Sequence, residues 1–189
     1  MHPLYSNPFS WLSARSQKTS LWVFGIITVF LFIILNIIDQ PLRNIHAPDG
    51  IVSFELAGNY IQTQKIINSW NQLTKLFAAL SLGIDYLFLV AYSLFFSLSI
   101  FKISENYAGR KEWLSRIGLN LAWSQFLAAI FDAVENYSLI RLLFGSQNKI
   151  FSSLAFYFAS MKFFLISSGA IYIAMGLILS FALRIRFSK

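Results

Sequence analysis

The stretch "IFDAVENYSLI", residues 130–140, sets Asp132, Glu135 and Asn136 close together in an otherwise oily run. Asp85 interrupts "LGIDYLFLVAYSL" in the same way, and Lys162 interrupts "FASMKFFLI". Carboxylates and one ammonium in apolar surroundings have a short chemical repertoire. They can pair with one another, hold a cation or a cationic ligand, or exchange a proton. In a catalytic version, an acid kept neutral by burial donates a proton while another, kept charged by Lys162, accepts one. An all-oxygen ligand set suits Mg²⁺ or Ca²⁺ better than zinc. The chain has no cysteine, and its two histidines, His2 and His46, lie outside the apolar runs, which argues against a zinc or haem centre. There is no nucleophile elbow, no phosphate loop and no histidine within an apolar run, so catalytic residues and cofactors stay unassigned.

Such residues need elements that can hold them, and composition says which. The 189 residues are 57% hydrophobic and only 12% charged, about half the charge of a typical soluble domain. Four segments, about 21–38, 75–101, 117–144 and 152–183, are long and apolar enough to span a bilayer. The first continues into "DQPLRN" without a small-residue cleavage step, so it reads as a retained anchor and not as a secretory signal. No proline lies beyond Pro48, which leaves the last three helices free of proline kinks. Between the first two spans, "PDG" reads as a turn into an amphipathic helix over about 51–70. Its projection puts Val52, Leu56, Tyr60, Ile67 and Trp70 on one side and Glu55, Gln62 and Ser69 on the other. With no repeat and no linker, residues 1–189 read as one domain. The expected fold class is all-α, an integral membrane four-helix bundle with one extra amphipathic helix between spans one and two.

Charge then orients the bundle. The net charge is +7, and nine of the fifteen Lys and Arg fall on one side: Arg15, Lys18, Lys102, Arg110, Lys111, Arg116, Arg184, Arg186 and Lys189. Cytoplasmic loops collect Lys and Arg, so both termini are expected in the cytoplasm and helix 51–70 on the opposite face. The same bias accounts for the positive charge without nucleic acid, for which no binding module is present, and leaves membrane lipid as the natural partner. Along the helices, Asp132 and Glu135 lie roughly 9–14 Å inside the level of Arg141. Asp85 lies roughly 15 Å past Lys75, and Lys162 roughly 15 Å past Ser152. Helical phase agrees with convergence. Gly118, Gln125, Ala128, Asp132, Glu135 and Leu139 share one stripe, Ala78, Ser81, Asp85 and Tyr92 a second, and Ser152, Ala155, Ala159, Lys162, Gly169 and Gly176 a third. The candidate ligand-binding residues are therefore Asp85, Asp132, Glu135, Asn136 and Lys162, with Glu55 as a candidate from the loop helix.

The set "GIVSFELAGN", Trp70, "LGIDYLFLVAYSL" and "DAVENYSLI" resembles a family of uncharacterised four-helix bacterial inner-membrane proteins over about residues 49–140. That resemblance implies a bacterial plasma-membrane location and the same choice of acidic residues, and it implies no reaction. The use of intramembrane acids is also similar to that of the four-helix sterol-isomerase and emopamil-binding group, whose motifs do not align here, so it serves as analogy only. Two function classes remain open. In one, a carboxylate pocket open to the extracytoplasmic side binds a cation, a proton or a lipid-like ligand. In the other, the chain is a structural or assembly subunit, and its acids pair with a partner helix of another membrane protein or of a second copy. The first needs a polar cavity around Asp132, whereas the second needs the acids on the lipid face.

Overall fold

The structure is a computed structural model that describes residues 8–109 and 111–187, with side chains described as far as residue 179. Arg110, Lys189 and the first seven residues lie outside the described residues, as do the side chains of Arg184 and Arg186, so the charge bias they contribute rests on sequence alone. The chain is all-α. Its helices are α1 (Ala14–Asp39), α2 (Ile51–Glu55), α3 (Tyr60–Ser69), α4 (Gln72–Glu105), α5 (Glu112–Leu143) and α6 (Ile150–Phe187). Four of them, α1, α4, α5 and α6, are long and apolar enough to cross a membrane, and they form the bundle. Their starts are set by side chains that satisfy free backbone donors. Ser13 accepts from Ser16 N at 3.2 Å before α1, Asn71 from Thr74 N at 2.8 Å before α4, and Asn148 from Ile150 N at 3.1 Å at the start of α6.

Helix α4 is the centre of the bundle and packs against α1, α5 and α6, while α5 also packs along α6. Helix α1 rests on α4 and makes no comparable interface with α5 or α6. One apolar cluster fills the end nearest α2 and α3, with Leu42, Phe54, Ile66, Trp70, Leu82 and Leu139 at its heart. A second, around Leu98, Ile100, Phe101 and Tyr172, fills the opposite end. The polar residues of α4, α5 and α6 lie between the two.

The segment expected as one helix over 51–70 is two helices. Gly58 adopts a positive φ of 75°, which breaks the chain between α2 and α3. Consequently the expected apolar stripe holds only in α3 and its end, where Ile67 and Trp70 are buried; in α2, Val52 and Leu56 are 37% and 40% exposed. It is Phe54 and Glu55 that turn inward, so Glu55 sits on the buried side and not opposite it. Both helices pack against the bundle. They fold over the end of the bundle as a cap: Trp70 Nε1 donates to Leu42 O at 2.9 Å, the Phe54 ring meets Trp70 edge-on at 5.4 Å, and Asn44 Nδ2 donates to Ser69 Oγ at 3.0 Å.

The cap is tied to α1 through Asp39. Asp39 Oδ1 accepts from Ile51 N at 2.6 Å, and Oδ2 accepts from Arg43 Nε at 3.0 Å. This needs Gly50, whose φ is 59° and whose missing Cβ leaves the space that the Asp39 carboxylate occupies. The "PDG" turn thus fixes the start of α2, and with it the position of Glu55.

Candidate functional site

Three helix faces bring the site together. Ala155, Ala159 and Gly169 lie buried beside Lys162 on α6, and their small size lets α6 approach α5 closely enough for the lysine to reach across. Asp132 and Glu135, three residues apart on α5, stand on the same face, so one ammonium meets both. Lys162 Nζ donates to Asp132 Oδ1 at 2.8 Å and lies 2.8 Å from Glu135 Oε2. Glu55 Oε2 approaches the same nitrogen from the cap at 3.5 Å. Lys162, Asp132, Glu135 and Glu55 are all buried, with Glu135 at 0% exposure.

A second ring of contacts surrounds this core. Tyr92 on α4 donates its hydroxyl to Asp132 Oδ2 at 3.0 Å, leaving both Asp132 oxygens engaged. Asn136 Nδ2 donates to Asp85 Oδ2 at 2.6 Å, linking α5 to α4. The opposite atom of that amide, Asn136 Oδ1, has no hydrogen-bond partner although the residue is fully buried. Orphaned buried acceptors are costly, about 1–3 kcal/mol each, and they mark places where a donor belongs.

These residues surround a cavity of 430 Å³ lined by α1, α2, α4, α5 and α6. Glu55, Asp85, Asp132, Asn136 and Lys162 all reach its wall. Glu135 does not: its Oε2 lies 2.8 Å from Lys162 Nζ, set back from the cavity wall. Five of the six candidate residues thus meet at one cavity, and the sixth stands behind it. Glu55, Asp132 and Glu135 are buried, and Asp85 is half-buried at the cavity wall. Sequence reasoning missed two contributors. Tyr92 lies on the Asp85 stripe in the sequence but is not among the candidate ligand-binding residues. Asp39 is not singled out by the sequence, and nothing local to it signals that its carboxylate caps a helix twelve residues on.

The electrostatics are unbalanced, with four carboxyl groups around one ammonium in a low-dielectric setting. The excess negative charge calls for a retained proton or a cation to offset it. Burial pushes the Glu55 carboxyl above its usual range; Lys162 pulls it back in part, and the negative charge of Asp132 adds to the rise. Glu55 is therefore a natural seat for a retained proton. Among the described residues, no three acids or histidines are arranged to hold a metal ion. The lysine occupies the place where the carboxylates converge, so the arrangement suits a proton and a ligand cation at the cavity wall, beside Asp85 and Asn136. No protein-family model, no curated protein and no solved structure matches this chain, so the functional reading rests on its own residues.

Proposed function

We propose that this protein binds, within the membrane, an amphipathic ligand with a cationic, N–H-bearing head, and that binding displaces a proton from the carboxyl cluster. The observation that supports it is the pairing of a half-buried carboxylate, Asp85, with an unpartnered acceptor, Asn136 Oδ1, on the wall of an acid-rich cavity. An ammonium head satisfies both: it supplies the missing donor and offsets the excess negative charge. Asp85 faces the ligand, Asn136 orients it, Lys162 holds Asp132 and Glu135 in place, and Glu55 releases the proton. The charge bias of the loops supports a topology with both termini in the cytoplasm and the α2–α3 cap outside, in a bacterial inner membrane. The assembly-subunit reading finds less support, because Asp132, Glu135 and Lys162 are at most 4% exposed.

The linkage has a definite sign. A carboxyl whose folded pKa is raised, as for Glu55, contributes stability that is fully present below the ordinary carboxylate range and is lost as pH rises through the raised value. The ligand-free protein should therefore lose thermal stability as pH rises, and a primary ammonium should restore it increasingly over the same interval. Butylamine, titrated into protein in lipid nanodiscs, is the probe, with tetramethylammonium as a cation that lacks N–H donors. Butylamine should stabilise and tetramethylammonium should not, and Asp85→Asn should weaken the butylamine response about thirtyfold or more. Equal responses of wild type and Asp85→Asn at every pH would refute the proposal.

A further inference from the structure

A second cavity lies farther along the bundle. It measures 810 Å³ and is bounded by Trp22, Ile26 and Val29 of α1, Phe95 of α4, and Ile173 and Leu177 of α6. Because α1 rests on α4 without an equivalent interface to α6, the gap between α1 and α6 forms a groove with α4 as its floor. At that floor α1 comes so close that a Cβ on Gly25 would meet the Phe95 ring at 3.0 Å.

The two cavities are continuous in register. On α1, Phe30 and Ile33 line the groove while Phe32 already lines the polar cavity, and on α4 Tyr92 and Phe95 are less than one turn apart. Phe32 and Phe88, with ring centroids 6.4 Å apart, pack against each other on the wall of the polar cavity. Lining residues on α1 thus run over 21–39, roughly 27 Å of helix, close to the thickness of a bilayer's hydrocarbon core. The passage is polar at the capped end and almost wholly hydrocarbon beyond it.

We infer that this passage holds one long-chain amine, with its ammonium at Asp85 and Asn136 and its single hydrocarbon chain threaded past Phe32 and Phe88 into the groove between α1 and α6. The inference rests on the proposed function for its head group and adds the chain. Charge complementarity chooses the head, and the continuity of the groove with the acid-rich cavity chooses the tail. An ordinary bilayer lipid does not match this geometry. Its head stays at the surface, whereas the Asp85–Asn136 pair lies well below the level of Arg141, so that a chain starting there crosses the midplane toward the far leaflet.

The test uses hexadecylamine carrying a diazirine at the end of its chain, photolysed with the full-length protein in nanodiscs. Peptide mapping should place the adducts on α1 and α6 near Trp22 and Leu177, and excess unlabelled hexadecylamine should remove them while hexadecanol should not. Val29→Trp, which fills the groove, should weaken that competition about tenfold while leaving the butylamine stabilisation unchanged; Ile26→Trp serves the same purpose if Val29→Trp does not fold. Adducts spread over all lipid-facing surfaces without competition mean annular contact only, and overturn the tail site while butylamine binding, if present, keeps the head site. Specific groove adducts that persist in Asp85→Asn, with no butylamine response in wild type, overturn the head assignment and with it the proposal of one ligand spanning both cavities.

Discussion

Lys162 is held by three carboxyl groups from two other elements, so its loss should be costly to the fold. Lys162→Met leaves Asp132, Glu135 and Glu55 facing one another without their common counter-charge, and should destabilise the protein by about 3–5 kcal/mol. Adding Asp132→Asn should recover only part of that loss, because Glu135 keeps its 2.8 Å place beside the vacated position. Thermal melts of the two single variants and the double variant give the coupling, and strict additivity would show that Lys162 and Asp132 are not partners. The Asp132–Lys162 pairing was legible from depth and helical phase because both depend only on counting along a regular helix. Tyr92 was less so. A tyrosine in a membrane helix has many uses, and only its hydroxyl contact with Asp132 distinguishes this one.

At the scale of elements, the spanning helices were readable and the cap was not. Long apolar runs without proline fix a helix whatever surrounds them, but the cap depends on tertiary contacts that periodicity does not carry. Val52, Leu56 and Tyr60 keep a helical spacing straight across the point where Gly58 breaks the chain, so the pattern suggested one continuous amphipathic helix. What turns Glu55 inward is the anchoring of α2 by Asp39 at the Gly50 turn, a contact between residues far apart in the pattern. Gly50→Ala forces a side chain into a positive-φ position and into the Asp39 carboxylate. It should cost about 1–3 kcal/mol of stability and shift Glu55 away from the cluster. The measurement is the pH profile of thermal stability: the loss with rising pH assigned to Glu55 should flatten in Gly50→Ala, and an unchanged profile would mean that the turn does not position this carboxyl.

For the whole molecule, the sidedness proposed from the charge bias can be read directly. Reporter tags at Met1 and Lys189 should both lie in the cytoplasm and a probe at Asn59 on the opposite face; a cytoplasmic Asn59 would invert the proposed opening of the site. Sidedness also decides which leaflet the head group leaves and which leaflet the tail enters. The seating of α1, which packs mainly on α4, has a further consequence for how affinity has to be expressed. With one flank of the passage open to the bilayer along the edge between α1 and α6, the compartment that supplies the ligand is the lipid phase and not the surrounding buffer. Occupancy then follows the mole fraction of ligand among lipids. A dissociation constant quoted per litre of solution would change with every change in the amount of membrane, although the protein and its ligand stayed the same.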